Sequence, residues 1–241
     1  AAALARMAEA CAAVTTEFES VPAAALERLA RSCRVAPAHT CVAIAQDRIR
    51  EKRFLQSNGF PVAPFAAIET EADLPASFTC PAILKRATHG YDGKGQVSVQ
   101  GLDQLRAAWL ELGRARCVLE QRLPLDLEVS VILARAADGA VRVFPVAENR
   151  HRDGILDTTL VPARVDARLT DEARALAGRI AERMGYVGVL AVEFFVTGGR
   201  LVVNELAPRP HNSGHYTLDA DRKSTRLNSS HIPLSRMPSS A

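Results

Sequence analysis

The sequence has few of the features that mark secreted proteins, proteins with a structural metal site or membrane proteins. Its 241 residues include an odd number of cysteines, none in a CxxC spacing: Cys11, Cys33, Cys41, Cys80 and Cys117. This argues against a disulfide framework or a structural zinc site and favours a reducing compartment. No apolar run approaches the roughly eighteen residues of a membrane helix, and the Ala-rich start lacks the pattern of a signal peptide. We therefore expect a cytoplasmic protein without a membrane partner.

The chain also has little net charge outside its last twenty-one residues. The formal net charge is +3. Residues 221–241 hold four basic residues and one acidic residue, which accounts for all of it. The remaining chain is neutral, so charge gives no reason to expect a nucleic-acid partner.

The composition changes abruptly after Ala220. Residues 221–241 contain six serines and show neither helical nor strand periodicity. Two parts of this segment, DRKSTRLNSSH and SRMPSSA, back-translate in order to parts of a common sequencing-library adapter. We therefore predict a non-native, disordered tail that is excluded from fold reasoning.

Hydrophobic periodicity in the rest of the chain predicts an α+β fold. Residues 1–45 alternate between helical and β-prone segments, as at the end of a βαβ domain. A helix is predicted from Asp47 to about Ser57, and another is predicted to begin with Thr170 as its N-cap. Strands are predicted at 82–85, 96–99, 117–121, 127–133 and 141–146, with a hairpin of 187–196 and 201–205 around Gly198-Gly199.

A glycine-rich segment, GYDGKGQ, follows Lys85 by five residues. It comprises Gly90, Tyr91, Asp92, Gly93, Lys94, Gly95 and Gln96. Glycines let main-chain N–H groups approach phosphate oxygens, and lysines supply positive charge. The spacing matches neither a Walker A loop nor a dinucleotide fingerprint, and a glycine-rich hairpin with a solvated lysine is the competing interpretation.

Two glutamates near the end of the neutral region suggest a metal site. Glu193 lies in an apolar run, and Glu205 follows Asn204 on the next predicted strand. Two carboxylates and an amide oxygen suit Mg²⁺, although an outward-facing glutamate on an amphipathic strand explains Glu193 equally well. For both carboxylates to share a face, the hairpin needs a three-residue loop or an equivalent bulge, which we predict.

A polar segment, RPHNSGH, comes directly after the second acidic strand. It carries Arg209, His211, Asn212 and Ser213. Cationic, amide, hydroxyl and imidazole groups in one loop could hold a small anion and stabilise developing charge. A polar surface turn is the alternative.

Taken in order, these motifs resemble the ATP-grasp superfamily, and GYDGKGQ together with NELAPRPHNSGH resembles the N5-carboxyaminoimidazole ribonucleotide synthases within it. The resemblance covers about residues 1–220. It implies a βαβ remnant at 1–45, an ATP-grasp domain at 46–220 and the foreign tail at 221–241. Because the family's opening strand–loop and its last domain are not seen, we expect this chain alone to be inactive.

The resemblance also implies roles for individual residues. Arg48 and Lys85 would contact ATP phosphates, with residues 90–96 covering them. Adenine would bind the main chain of a hinge formed by Glu120, Gln121, Arg122 and Leu123. Glu128 would bind the ribose, and His151 and Asn204 would also line the nucleotide site. Glu193 and Glu205 would hold Mg²⁺, and Arg209, His211, Asn212 and Ser213 would hold bicarbonate; Tyr91, Asp92 and Glu17 would lie near the ribonucleotide.

The implied enzyme is an ATP-dependent carbon–nitrogen ligase of purine biosynthesis, active as a homodimer. Bicarbonate would attack the γ-phosphate of ATP to give ADP and carboxyphosphate, which then carboxylates the amine of 5-aminoimidazole ribonucleotide. A formate-dependent glycinamide ribonucleotide transformylase, also an ATP-grasp enzyme, is the nearest alternative. A non-catalytic nucleotide-binding protein is the other.

Overall fold

The computed structural model describes residues 2–18, 20–88, 90, 95–152 and 154–219. The predicted tail at 221–241 lies outside the described residues. None of the described helices is long and apolar enough to span a membrane.

The N-terminal part of the chain is a small parallel β-α-β unit. Its elements are α1 (Ala2–Ala10), β1 (Ala13–Val14), α2 (Ala23–Leu29), β2 (Arg34–Val35) and α3 (His39–Ala45). Strands β1 and β2 pair in parallel with α2 between them, which confirms the predicted βαβ character. No residue of α1 is buried.

Helix α4 (Arg48–Ser57) follows and packs between the two larger sheets of the molecule. Its N-cap is Asp47, whose carboxylate accepts from the main-chain N–H groups of Ile49 and Arg50. The helix ends at Asn58, and Gly59 adopts a φ of 73°, a conformation that glycine reaches without strain. The predicted helix is therefore confirmed within one residue.

The first of these sheets has four antiparallel strands. They are β3 (Phe65–Ile68), β4 (Ala82–Arg86), β5 (Gln96–Val99) and β6 (Cys117–Gln121), in the order β3-β6-β4-β5. Helix α5 (Leu105–Glu111) covers one face, where Trp109 packs in a core with Leu84 and Leu119. Strand β4 carries Lys85, and its neighbour β6 carries Glu120.

The second sheet has six antiparallel strands. They are β7 (Leu127–Arg135), β8 (Val141–Val143), β9 (Ala147–Arg152), β10 (Ile155–Leu160), β11 (Gly188–Thr197) and β12 (Arg200–Ala207). The order is β10-β9-β7-β11-β12, with β8 paired to β7. The sequence did not predict the β9–β10 hairpin, because half of β9 and all of β10 are exposed or partly exposed, and both carry polar residues without a clear period.

Helix α6 (Ala167–Arg183) packs on this sheet, and α7 (Tyr216–Asp219) ends the described chain. Leu176 and Ile180 of α6 share the largest core with Phe194. The predicted N-cap at Thr170 is wrong. The helix begins one turn earlier, where the Asp166 carboxylate accepts from the Leu169 N–H at 2.7 Å.

Candidate active site

A cavity of about 350 Å³ lies where the two sheets meet. Lys85 reaches it from the first sheet, and Glu128, Glu193 and Glu205 reach it from the second. The four side chains that the resemblance assigns to ATP and Mg²⁺ therefore meet at one cavity. The cavity is also lined by other predicted site residues: Arg48, Gly90, Gly95, Gln96, His151, Asn204, Arg209, His211 and Asn212.

The acidic hairpin achieves this convergence through a bulge. Thr197 pairs with Arg200, so Gly198 and Gly199 form a two-residue turn with φ values of 53° and 67°. The predicted three-residue loop is wrong. The register then shifts between Glu193 and Phe194, and Glu193 pairs with Glu205. The equivalent bulge that the sequence required is thus confirmed, and it lies inside the strands rather than at the turn.

Both carboxylates already have cationic or polar partners. Glu205 Oε2 lies 3.0 Å from Arg48 Nη1, and Glu193 Oε1 lies 3.1 Å from His211 Nε2. Asn204 Nδ2 donates to the other Glu193 oxygen at 3.4 Å. Burial would raise the pKa of Glu205, but the positive charges of Arg48, Lys85 and Lys52 outweigh it and lower that pKa. Glu205 is therefore ionised at neutral pH.

Glu120 occupies a buried position between two lysines. Its Oε2 lies 3.0 Å from Lys52 Nζ, and its Oε1 lies 3.2 Å from Lys85 Nζ at an angle that does not make a hydrogen bond. Burial opposes ionisation, yet Lys85 and Lys52 lower the pKa of Glu120 to about 2. The side chain is thus a fixed anion that orients Lys85 toward the cavity, which the sequence did not predict.

A second cavity of about 390 Å³ adjoins the first and is lined by the predicted hinge. Glu120, Gln121, Arg122 and Leu123 form one wall. The apolar side chains of Ile83, Leu125 and Phe195 line both cavities, as does Lys85. Apolar side chains together with a few polar groups suit a flat heterocycle with polar edges.

Glu128 and His151 form a pair on neighbouring strands. His151 Nδ1 lies 2.9 Å from Glu128 Oε2, and both side chains are about one quarter exposed. The hydrogen bond to Glu128 raises the pKa of His151 despite partial burial, with further contributions from Glu193 and Glu205. The β7–β9 pairing that joins them was not predicted, although both residues were.

The polar segment after β12 is arranged in two layers. Arg209, His211 and Asn212 line the cavity. Ser213 is fully buried behind them, where its hydroxyl accepts from Ser130 at 2.8 Å and lies 2.9 Å from His211 Nδ1. Ser213 therefore supports His211, and in this structure it does not itself face the cavity.

The remaining predicted residues fall into two groups. Tyr91, Asp92, Gly93 and Lys94 lie outside the described residues. Glu17 is exposed in the N-terminal unit.

Sequence reasoning missed Glu51 and Lys52, which are fully buried on α4. A signal was available, because these residues lie three and four positions after Arg48 and therefore share its helix face.

The comparisons with known proteins agree with this geometry. Residues 53–225 match the ATP-grasp domain, and residues 1–46 match the ribonucleotide synthetase preATP-grasp domain. The N5-carboxyaminoimidazole ribonucleotide synthase of Brucella melitensis is 43% identical over 221 residues, covering 89% of this chain and 61% of the relative. The Bacillus subtilis synthase is 41% identical over 221 residues, covering 90% and 58%.

Solved structures give the same result. The N5-carboxyaminoimidazole ribonucleotide synthetase of Thermus thermophilus superposes with a TM-score of 0.85 at 40% identity, covering 92% of this chain and 61% of that one. The Aspergillus clavatus synthase, in complex with ADP and 5-aminoimidazole ribonucleotide, gives 0.82 at 28% identity, covering 90% and 58%. The chain spans about three fifths of the length of these relatives. It belongs to the ATP-grasp family, and within that family it is similar to the N5-carboxyaminoimidazole ribonucleotide synthases.

Proposed function

We propose that the protein is a ligase of purine biosynthesis that uses ATP and bicarbonate to carboxylate 5-aminoimidazole ribonucleotide, giving N5-carboxyaminoimidazole ribonucleotide. The observation that carries this proposal is the single cavity that collects Lys85, Arg48, Glu128 and the facing pair Glu193 and Glu205. Relatives that bear the synthase name are about 40% identical over about 90% of the chain. The proposal includes a cytoplasmic location and a homodimeric protein.

The nucleotide would lie across the two adjoining cavities. The main chain of residues 120–123 would bind adenine in the second cavity, beside Phe195. Glu128 would accept from the ribose hydroxyls, with His151 holding its carboxylate in place. Arg48 and Lys85 would bind the phosphates, and the segment 90–96 would cover them. Lys85 suits this task because Glu120 fixes its ammonium group from behind.

The acidic hairpin fits Mg²⁺. Glu193 and Glu205 face each other, and both line the same cavity as Asn204, the bulged residue beside them. Carboxylate and amide oxygens are the ligands that Mg²⁺ prefers. Within the described part of the chain no three His, Cys, Asp or Glu side chains are grouped to hold a metal. Mg²⁺ takes one or two carboxylates and completes its shell with phosphates and water. When bound, the ion would neutralise phosphate charge during transfer.

The polar segment after β12 would hold the second substrate. Arg209, His211 and Asn212 lie at the same cavity as the phosphate-binding residues. Bicarbonate bound there would be placed for attack on the γ-phosphate, giving ADP and carboxyphosphate. Transfer of the carboxyl group to the amine of the ribonucleotide would then release phosphate. Phosphoryl transfer needs positioning and charge neutralisation above all, and the cavity supplies both.

Two measurements test the proposal. The chain should bind ATP with Mg²⁺ by calorimetry, and Lys85→Met should weaken binding at least about tenfold, or about 1.4 kcal/mol. Arg168→Met, an exposed residue of α6 paired with Glu172, is the matched control and should leave binding unchanged.

The second measurement follows ADP release by the full-length protein, because this chain spans only about three fifths of its relatives. It should require both bicarbonate and 5-aminoimidazole ribonucleotide. Turnover with formate and glycinamide ribonucleotide instead would replace the proposal with the transformylase, and nucleotide binding without any turnover would favour a non-catalytic protein.

A further inference from the structure

Two consecutive side chains of α4 hold the main chain on either side of Glu205. Lys52 Nζ donates to the carbonyl oxygen of Asn204 at 2.8 Å. The Leu206 N–H donates to Glu51 Oε1 at 2.6 Å. The helix therefore grips the residue before the candidate metal ligand and the residue after it.

These contacts stabilise a part of β12 that strand pairing alone leaves short of partners. The strand is the last in its sheet order, and its register shifts at the bulge where Asn204 is the extra residue. Main-chain groups at an edge or in a bulge need hydrogen-bond partners from elsewhere when they are buried. Glu51 and Lys52 provide them, and they do so at the point where the bulge turns Glu205 toward Glu193.

The burial of a carboxyl group and an ammonium group side by side on one helix is costly, and it raises the pKa of Glu51 to about 8. This cost argues for a role beyond packing. Glu51 is 0% exposed and Lys52 is 1% exposed. Lys52 is also paired with Glu120 at 3.0 Å, so one ammonium group joins β6 of the first sheet to β12 of the second. Buried ion pairs are often no more stabilising than apolar residues of the same shape. Two apolar residues could not reproduce the contacts by which Glu51 and Lys52 position the two sheets.

We propose that Glu51 and Lys52 are positioning residues that set the bulge at Asn204 and so hold Glu205 opposite Glu193 for a divalent cation. This inference rests on the proposed nucleotide–metal function. Neither side chain touches the cation or the nucleotide in this proposal. Removing the Glu51 contact should therefore weaken cation binding and leave metal-free nucleotide binding nearly unchanged, whereas Lys52 also pairs with Glu120 beside Lys85.

The test measures Mn²⁺ binding to the ADP complex by electron paramagnetic resonance, and ADP binding in EDTA by calorimetry. Glu51→Leu and Lys52→Met should each weaken Mn²⁺ binding at least tenfold. Glu51→Leu should change metal-free ADP binding less than twofold. Glu51→Gln keeps an oxygen that accepts from Leu206 and should stay within threefold of wild type. Arg53→Met, exposed on the same helix, is the control and should behave as wild type.

Several outcomes overturn the inference. Wild-type Mn²⁺ affinity in a folded Glu51→Leu or Lys52→Met chain would do so. Equal losses of Mn²⁺ and metal-free ADP binding in the Glu51→Leu chain would also overturn it. A Glu51→Gln chain as impaired as Glu51→Leu would do the same.

An NMR measurement decides the case in which the apolar variants do not fold. The Leu206 amide proton, bonded to a carboxyl oxygen at 2.6 Å, should change its chemical shift in the nearly isosteric Glu51→Gln chain. An unchanged chemical shift would contradict the proposed role of the contact between Glu51 and Leu206. A wild-type chain that binds neither ADP nor Mn²⁺ would instead overturn the proposed function, while the Leu206 shift would still report on that contact.

Discussion

Glu193 lies directly opposite Glu205 across β11 and β12, although the hairpin between them closes with a two-residue turn. Continuous pairing from that turn would put Glu193 opposite Asn204 and point Glu205 to the other side of the sheet. The bulge inserts one residue into β12 and restores the facing arrangement. A shared cation site on these strands therefore depends on one irregular residue.

Glu205→Gln should weaken the cation site selectively. The amide keeps the shape of the side chain but removes the negative charge, while Glu193 and Asn204 remain in place. We expect Mn²⁺ affinity in the presence of ADP to fall at least about tenfold, or about 1.4 kcal/mol. Electron paramagnetic resonance measures the change, and an unaltered affinity would show that Glu205 is not a ligand.

Glu120→Gln should destabilise the fold strongly. The substitution leaves Lys52 and Lys85 near a neutral group, and Lys52 is almost completely buried. Breaking a buried ion pair by removing one partner costs about 3–5 kcal/mol. Urea unfolding should show a loss of this order. Glu69→Gln removes ion pairs with Arg53 and Arg116 that are more exposed to solvent. The loss of each pair should cost less than about 1 kcal/mol.

The pair of His151 and Glu128 should make stability depend on pH. Because the folded-state pKa of His151 is raised, its contribution is fully present below the unfolded value of about 6.5 and is lost as pH rises through the folded-state pKa. The difference in unfolding free energy between wild type and His151→Gln should be about 0.5–1 kcal/mol near pH 6 and should shrink toward pH 8.5. A difference that grows with pH would contradict this assignment.

Asp166→Ala should destabilise α6, whereas Thr170→Ala should have little effect. The Asp166 carboxylate caps the Leu169 N–H at 2.7 Å, and losing such a cap costs about 0.5–2 kcal/mol. The exposed hydroxyl of Thr170 bonds the Asp166 carbonyl within the helix, an arrangement that contributes little. Thermal unfolding measures the stability of both variants, and equal losses of stability would favour Thr170 as the N-cap.

Two glycines should respond oppositely to alanine. Gly178 lies inside α6 with nothing within 4 Å of an added Cβ, so Gly178→Ala should stabilise the fold by about 0.5–1 kcal/mol. Gly199 has a φ of 67° in the hairpin turn, and Gly199→Ala should destabilise by about 1 kcal/mol. Chemical unfolding should show the two signs, and stabilisation at Gly199 would contradict the two-residue turn.

Local sequence was enough to locate most elements and most candidate site residues. The strand at 117–121 was predicted with its observed limits, because a short apolar run bounded by loop residues is a local signal. The cap at Asp47 and the turn at Gly59 were likewise local. Glu193 was recognisable because a charged residue within an apolar run is costly to bury without a purpose, whereas the role of Lys85 came from the family resemblance.

Only the tertiary structure decided how those residues meet. The bulge at Asn204 depends on contacts from Lys52, 152 positions earlier, and the support of His211 by Ser213 depends on Ser130, 83 positions away. Strand propensity and periodicity act over a few residues, so they specify that a strand exists and which residues alternate along it. The register between strands, the insertion of a bulge and the side chains that hold it follow from packing between distant segments, which local patterns do not encode.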